Sequence, residues 1–368
     1  MTPNSPSPRA YNFSAGPAML PEPVIRQIQA ECLDWKSMHR SVMELSHRSA
    51  PFLELMHETE RLCREILNIP VNYHVFFITS SARSQFSMVP MNLLQQPQDT
   101  ADYLVTGLWS QLAVDDARKF ANVNIVADGQ EQNYTTIPPI STWTPSNNAH
   151  YFFYCPNETV HGVEFTYIPE VGDVPLVADM TSYLFSSTID VNRFGVIFAG
   201  TQKNIGVAGL TLAIVREDLV TKPLPGTPPL YDYSIYRDYE SLLSTPNTFA
   251  IYVMNLVLKW VIGEGGLTVI GERNRRKAKM IYDEIDQSDF YKNPVDKPYR
   301  SQMNVPFKLP NLELENAFLE EATAHPLLAL EGHRHVGGLR ASIYNAMPEA
   351  GVKTLVDFMK RFREKHSG

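Results

Sequence analysis

Gly200-Thr-Gln-Lys-Asn-Ile-Gly206 joins two short apolar runs, Gly195-Val-Ile-Phe-Ala-Gly200 and Gly209-Leu-Thr-Leu-Ala-Ile-Val215, and a third run, Pro175-Leu-Val-Ala-Asp179, stands just upstream. Each run has the length of a strand without polar alternation, the pattern of a strand buried on both faces. In open α/β sheets ligands sit beyond the carboxyl ends of such strands, where Asp179 and Lys203 both fall. One crevice therefore holds a carboxylate and an amine.

An amine desolvated by apolar neighbours has its ammonium form disfavoured and becomes a nucleophile toward an aldehyde. Pyridoxal phosphate asks for that lysine, for a carboxylate to keep its ring nitrogen protonated, and for a phosphate cradle. Taken alone, the pair also fits a strand-capping carboxylate and a solvated loop lysine.

The 368 residues, 44% hydrophobic and 20% charged, suit a soluble globular protein of two domains. A net charge of -8 argues against a nucleic-acid binder, because neutralising phosphates needs a basic surface. Cys32, Cys63 and Cys155 form no metal or CxxC pattern and read as buried thiols in a reducing compartment. Residues 1–9 are Pro/Ser/Thr-rich without an apolar signal core, so a flexible tail is expected over residues 1–10. The apolar run 249–262 is too short to span a bilayer and contains Asn255 and Lys259. The cytoplasm is the expected compartment.

Helices are expected from Pro21, with Val24, Ile25, Ile28, Cys32 and Leu33 on the apolar face, and over residues 51–67. Between them His47 and Arg48 are adjacent cations on a loop. The strand at 75–79 runs into Ser80-Ser-Ala-Arg-Ser-Gln-Phe86 and an apolar helix, a strand–turn–helix junction whose free N–H groups and dipole suit an anion. Strands at 101–106, 123–127 and 151–155 alternate with helical segments, which predicts a doubly wound, mostly parallel sheet. Trp109 stands at a strand-to-helix junction, where an aromatic side chain stacks on a ring or fills core. Gly263-Glu-Gly-Gly266 marks a domain boundary. The helix beyond it carries Arg273, Arg275, Arg276, Lys277 and Lys279, read as a solvated face. A strand near 303–307, helices over 312–324 and 348–362, and an alternating segment before Tyr344 complete the chain.

Asp179, Gln202-Lys-Asn-Ile-Gly206, Tyr154-Cys-Pro-Asn-Glu-Thr159 and Arg340-Ala-Ser-Ile-Tyr-Asn-Ala-Met347 together resemble the phosphoserine aminotransferase family, over nearly the whole chain from about Tyr11. The resemblance implies a fold-type I, class V pyridoxal-phosphate transferase. A large cofactor-binding α/β domain would span residues 11–263, with the N-terminal segment reaching the site, and a smaller C-terminal α/β domain residues 264–368. Pyridoxal 5'-phosphate would be held as a Schiff base on Lys203, with Asp179 at its ring nitrogen, Trp109 on its face and Thr159 at its phenolic oxygen. Ala82, Arg83 and Gln202 would bind its phosphate, with Ser244 and Thr245 of a second subunit, in a homodimer with shared active sites. Arg340 would clamp the substrate α-carboxylate, and His47, Arg48, His333 and Arg334 would meet side-chain anions. Ala15 would contact the amino donor through its backbone.

The activity implied is transamination between L-glutamate and 3-phosphohydroxypyruvate, in serine biosynthesis, with a phosphorylated hydroxythreonine step of pyridoxine biosynthesis as a side activity. The family usually has glycines at Ser80 and Ser81 and asparagine at Ser244. A turn of positive φ would strain a serine, although its hydroxyl can donate to a phosphate. Those departures leave open a catalytically silent paralogue acting as a binding or scaffold protein. Cysteine desulfuration shares the fold class but needs a reactive cysteine on a mobile loop, whereas Cys32 and Cys63 sit in apolar helices and Cys155 follows a buried strand.

Overall fold

The computed structural model describes residues 9–367, so the tail expected over residues 1–10 lies, up to residue 8, outside the described residues. A short strand β1 (Tyr11–Asn12) leads to helix α1 (Glu22–Glu31), which has Pro21 at its N-cap and a proline in its first turn, where a missing N–H costs nothing. Because α1 stops at Glu31, Cys32 and Leu33 fall beyond its apolar face and are exposed, Leu33 to 88%. The expectations of a buried Cys32 and of both residues on a helix are corrected accordingly. Helix α2 (Ala50–Leu67) ends where Asn68 turns left-handed and closes its N–H on the Arg64 carbonyl.

β2 (Tyr73–Ile78), α3 (Gln85–Leu93), β3 (Thr100–Val105), α4 (Leu108–Ala117), β4 (Asn122–Asp128) and β5 (Ala149–Tyr154) follow. The strand–helix alternation then stops: β6 (Asn157–Glu158) and β7 (Val163–Glu164) pair antiparallel before β8 (Leu176–Asp179), β9 (Val196–Gly200) and β10 (Thr211–Arg216). The seven-stranded sheet has the order β2-β10-β9-β8-β5-β3-β4. Its pairs are parallel except those of β10, which runs antiparallel to both β9 and β2. Only residues 201–210 join β9 to β10, too few for a parallel crossover, so the chain must reverse and carry Lys203 on the turn. β8 and β9 lie side by side with Asp179 opposite Phe198, which brings the end of β8 to the start of that turn.

Helices α5 (Tyr233–Asp238), α6 (Thr248–Gly263) and α7 (Gly266–Ile285) come next, the last two meeting at 83°. Among the described residues no single helix is long and apolar enough to cross a membrane, and α6 buries its apolar side chains against the sheet's helical layer. β11 (Asn304–Phe307), α8 (Leu312–Ala324), β12 (Leu327–Leu328), β13 (Leu339–Ser342) and α9 (Glu349–His366) follow, with β11 and β13 antiparallel. Apolar clusters cover the two faces of the large sheet, and a third joins α7, α8, α9, β11 and β13.

The N-terminal segment belongs with this third cluster. β1 pairs with β12, Phe13 is buried in the cluster, and Ser342 N–H donates to the Phe13 carbonyl at 3.1 Å. Residues 11–13 therefore pack with the C-terminal elements. The solvated face read on α7 is corrected too: Ile270, Asn274, Lys277 and Ile281 recur at helical spacing along its buried stripe, and Lys277 is 0% exposed. Arg276 and Lys279 point outward and pair with Glu349 and Asp283.

Candidate active site

A cavity of about 410 Å³ opens beyond the carboxyl ends of β8 and β9. Of the residues expected in a site, it is lined by Ala15, Ala82, Arg83, Trp109, Thr159, Asp179, Gln202, Lys203, His333 and Arg340. His47, Arg48, Arg334, Ser244 and Thr245 do not line it; His47 and Arg48 contact each other at 3.4 Å on their own loop, and Arg48, Arg334, Ser244 and Thr245 are exposed. Ser244 and Thr245 were expected to serve the site of a second subunit, and in their own chain they lie outside the cavity, as do His47, Arg48 and Arg334.

Lys203 and Asp179 are both more than nine-tenths buried. Burial pulls the Lys203 ammonium down to a pKa of about 8, with Asp179 opposing and Arg340 adding to the drop. Its Nζ donates to Thr159 Oγ1 at 2.6 Å and stands 6.0 Å from the centre of the Trp109 ring. Asp179 accepts the Thr181 N–H at 2.9 Å, and burial pushes its carboxyl above the ordinary range against that bond and the Lys203 charge. With Lys203 turned to Thr159, the carboxylate is left for a cation inside the cavity.

The lysine turn is braced by the N-terminal segment. Ala18 N–H donates to the Gln202 carbonyl at 2.9 Å, and Tyr344 Oη donates to the Ala15 carbonyl at 2.8 Å. Gly16, at φ +146°, lies over the lysine stem, and a Cβ there would sit 3.5 Å from Lys203 Cε.

Between β2 and α3, residues Ala82–Ser84 form a single 3₁₀ turn. The backbone N–H groups of Ala82 and Arg83 find no acceptor among the described residues, as the start of a helical segment requires. Ser81 has φ −80°, and neither it nor Ser80 is left-handed, so glycine is not needed here and the strain expected of serine is absent. Ser80 Oγ and Ser84 Oγ bond each other at 2.7 Å, tying the loop's two ends.

Glu158 is the supporting residue that the sequence reading missed. Fully buried, it accepts Trp109 N–H at 3.0 Å, Ser110 N–H at 2.8 Å and Ser110 Oγ–H at 2.6 Å, capping α4 beneath Trp109. Burial pushes its carboxyl up against those three bonds. A Cβ on Gly107 would come 2.5 Å from Glu158 Cδ, so glycine there makes the approach possible. Glu158→Ala leaves the Trp109 and Ser110 N–H groups without an acceptor, while the Ser110 hydroxyl keeps the Gly107 carbonyl, and is expected to lower unfolding free energy by about 3 kcal/mol, read from denaturant midpoints at unchanged slope. Asn157, Thr181 and Ser182 also line the cavity unforeseen. Asn157 bonds Ser182 and Asn304, partners far away in sequence that no local pattern reveals.

Arg340, on β13, is half-buried over the cavity mouth, donates to the Thr159 carbonyl at 3.5 Å, and has no carboxylate partner among the described residues. Burial lowers its proton affinity and that of His333 beside it, to which Arg340 adds repulsion. Cys155 lines the cavity as a thiol held far from ionisation by burial, and Cys32, though exposed, lies outside it. Neither is the activated cysteine that desulfuration needs.

The residues present fit pyridoxal phosphate. The buried indole Nε1 of Trp109 has no partner, free amides stand at the 3₁₀ turn, and a buried carboxylate and a neutral-leaning amine face one space. Fold and site define a pyridoxal-phosphate-dependent aminotransferase of class V, and the model of that family, "Aminotransferase class-V", matches residues 10–355. The chain is 52% identical to the phosphoserine aminotransferase of Laribacter hongkongensis over 97% of its length and 99% of that protein. The phosphoserine aminotransferase of Bacillus circulans subsp. alkalophilus superposes with a TM-score of 0.95 at 42% identity, over 98% of this chain and 99% of that one. The pyridoxal-phosphate-bound phosphoserine aminotransferase of Trichomonas vaginalis gives 0.92 at 39%, over 96% and 100%. The chain belongs to the phosphoserine aminotransferase family, and pyridoxal 5'-phosphate is its cofactor.

Proposed function

We propose that this site exchanges the amino group of L-glutamate with 3-phosphohydroxypyruvate, giving O-phospho-L-serine and 2-oxoglutarate. The observation that carries the reading is the Arg340 guanidinium in the cavity, with the His333 imidazole beside it and no carboxylate partner among the described residues, in a chain of net charge -8. Both amino acids and both 2-oxo acids present an α-carboxylate, which the Arg340 fork matches, and a second anionic group that needs its own cation. The names of the similar proteins support the same choice.

When bound, pyridoxal phosphate supplies an aldehyde that takes the amine and a protonated ring that accepts the electron pair left as the Cα–H bond breaks. Asp179, a buried carboxylate in the cavity, would hold the ring-nitrogen proton in place. Lys203, with a pKa of about 8, is the base that removes and returns the Cα proton near neutral pH. Trp109 closes one side against water, Thr159 orients the lysine Nζ, and the amides of Ala82 and Arg83 with Gln202 hold the phosphate. Ala15 meets the donor through its backbone.

A homodimer completes this reading. Ser244, Thr245, His47 and Arg48 stand outside the cavity of their own chain, so they reach an active site only from a second copy. Arg334 shares the loop of His333, which lines the cavity, and is assigned to the same side-chain anion. The division into residues 11–263 and 264–368 is retained as a proposal, with β1 and Phe13 given to the smaller part.

The test is a spectrum of the cofactor-loaded protein before and after O-phospho-L-serine, with L-serine as control. The visible band is expected to fall with phosphoserine and to persist with serine at equal concentration. An equal response to both would remove the phosphorylated substrate, and no band with added cofactor would favour a silent paralogue. Phosphorylated hydroxythreonine in the same assay reads the vitamin B6 side reaction.

A further inference from the structure

Lys277 lies on α7 outside the cavity, is 0% exposed, and has no carboxylate paired with it among the described residues. Its Nζ donates to three backbone carbonyls, Ile343 at 2.8 Å, Tyr344 at 2.8 Å and Met347 at 3.1 Å. A buried charge without a counter-ion is costly, and a buried carbonyl without a donor is costly too. Here one ammonium satisfies three carbonyls of a single turn. Burial draws its pKa down to about 7. The acceptors oppose that, because a neutral amine has only two N–H groups for three oxygens.

The turn that Lys277 holds touches the active site at three places. Arg340 lies on β13, which runs straight into it. Tyr344 Oη donates to the carbonyl of Ala15, which lines the cavity, and accepts from Asn304 Nδ2 at 3.0 Å. Asn345 N–H donates at 3.1 Å to Oδ1 of Asn204, the residue after Lys203. One helical turn before Lys277, Asn274 grips the same segment, its Nδ2 donating to Asn345 Oδ1 at 2.8 Å.

We propose that Lys277 is a positioning residue for the transamination site: its ammonium pins the 343–347 turn to α7, and through Asn345 and Tyr344 that turn sets the placement of Lys203 and Arg340. An apolar residue would fill the same space but leave the turn free to shift. A displacement of an ångström at a reacting group is enough to cost a large factor in rate. The proposal rests on Lys203 being the lysine that holds the cofactor, which Lys203→Ala tests separately through loss of the visible band.

Lys277→Met keeps the apolar stem and removes the ammonium. In the cofactor-loaded protein it is expected to lower kcat/KM on the order of 10- to 100-fold and to move the pH midpoint of the visible band. Asn204→Ala, which cuts the link at its other end, is expected to move that midpoint in the same direction, and the double variant to move it by less than the sum. Leu355→Ala, in the same apolar cluster but outside the 343–347 turn and its hydrogen bonds, lowers Tm without moving the midpoint. Should Lys277→Met fail to fold, Asn274→Ala loosens the same turn without disturbing a buried charge, and its midpoint must shift. An unmoved midpoint in the folded variant of this pair, or full additivity with Asn204→Ala, would overturn the proposal and leave Lys277 a structural residue only.

Discussion

Lys203→Ala is expected to abolish the visible absorption band of the cofactor-loaded protein and to lower turnover by about 10⁴-fold, the upper range for loss of a positioned acid–base group. Among the described residues it removes the only lysine lining the cavity, so no neighbour there can take its place. Stability should suffer little, because the ammonium is bought out of water at a cost that alanine does not carry. The environment also fixes a pH dependence. A folded pKa of about 8, below the ordinary lysine value, means the proton leaves at lower pH and the nucleophile appears earlier. Cofactor capture by the cofactor-free protein should rise through pH 8 and level off soon above it. An unperturbed lysine would still be gaining at roughly pH 10. A variant that keeps band and turnover together would remove Lys203 from the chemistry.

Asp179→Asn separates holding the cofactor from using it. The side-chain volume and an acceptor for the Thr181 N–H remain, and Lys203 is untouched, so the band should persist. What is lost is the buried negative charge that would face the cofactor's ring nitrogen, in a site where burial strengthens every electrostatic contact. Turnover is expected to fall on the order of 10²- to 10³-fold, the scale for removing one preorganised electrostatic contact in a buried site. Stopped-flow decay of the band with amino donor would show the loss in the proton-transfer phase. Wild-type decay in that phase would show that the carboxylate serves the fold alone.

The central strands were legible because burial on both faces leaves an uninterrupted apolar run, and β8 and β9 lie within a residue of the runs that suggested them. The reversal at β10 was legible only as a count of connecting residues, since strand direction leaves no mark on an apolar run. Leu33 and Cys32 misled because the spacing of apolar residues continues past Glu31 while the helix does not. Lys277 misled for the opposite reason: four other cations on its helix suggested a wet face, and its acceptors are carbonyls more than sixty residues away. Backbone groups have no letter in a sequence. The same holds for Glu158, whose partners are the amides at the start of α4.

By itself the sequence determined the fold class, the crevice between Asp179 and Lys203 and the chemistry that such a pair can perform, because strand burial and residue type are local properties. Only the tertiary structure decided which cations reach that crevice. Arg340 and His333 come to it from the far end of the chain because β13 is pinned against β11 and the Phe13 carbonyl, whereas His47, Arg48, Ser244 and Thr245 are left outside the cavity of their own chain. It also decided that the serines at 80 and 81 are unstrained, since φ is set by the path between β2 and α3 and not by the residues that occupy it.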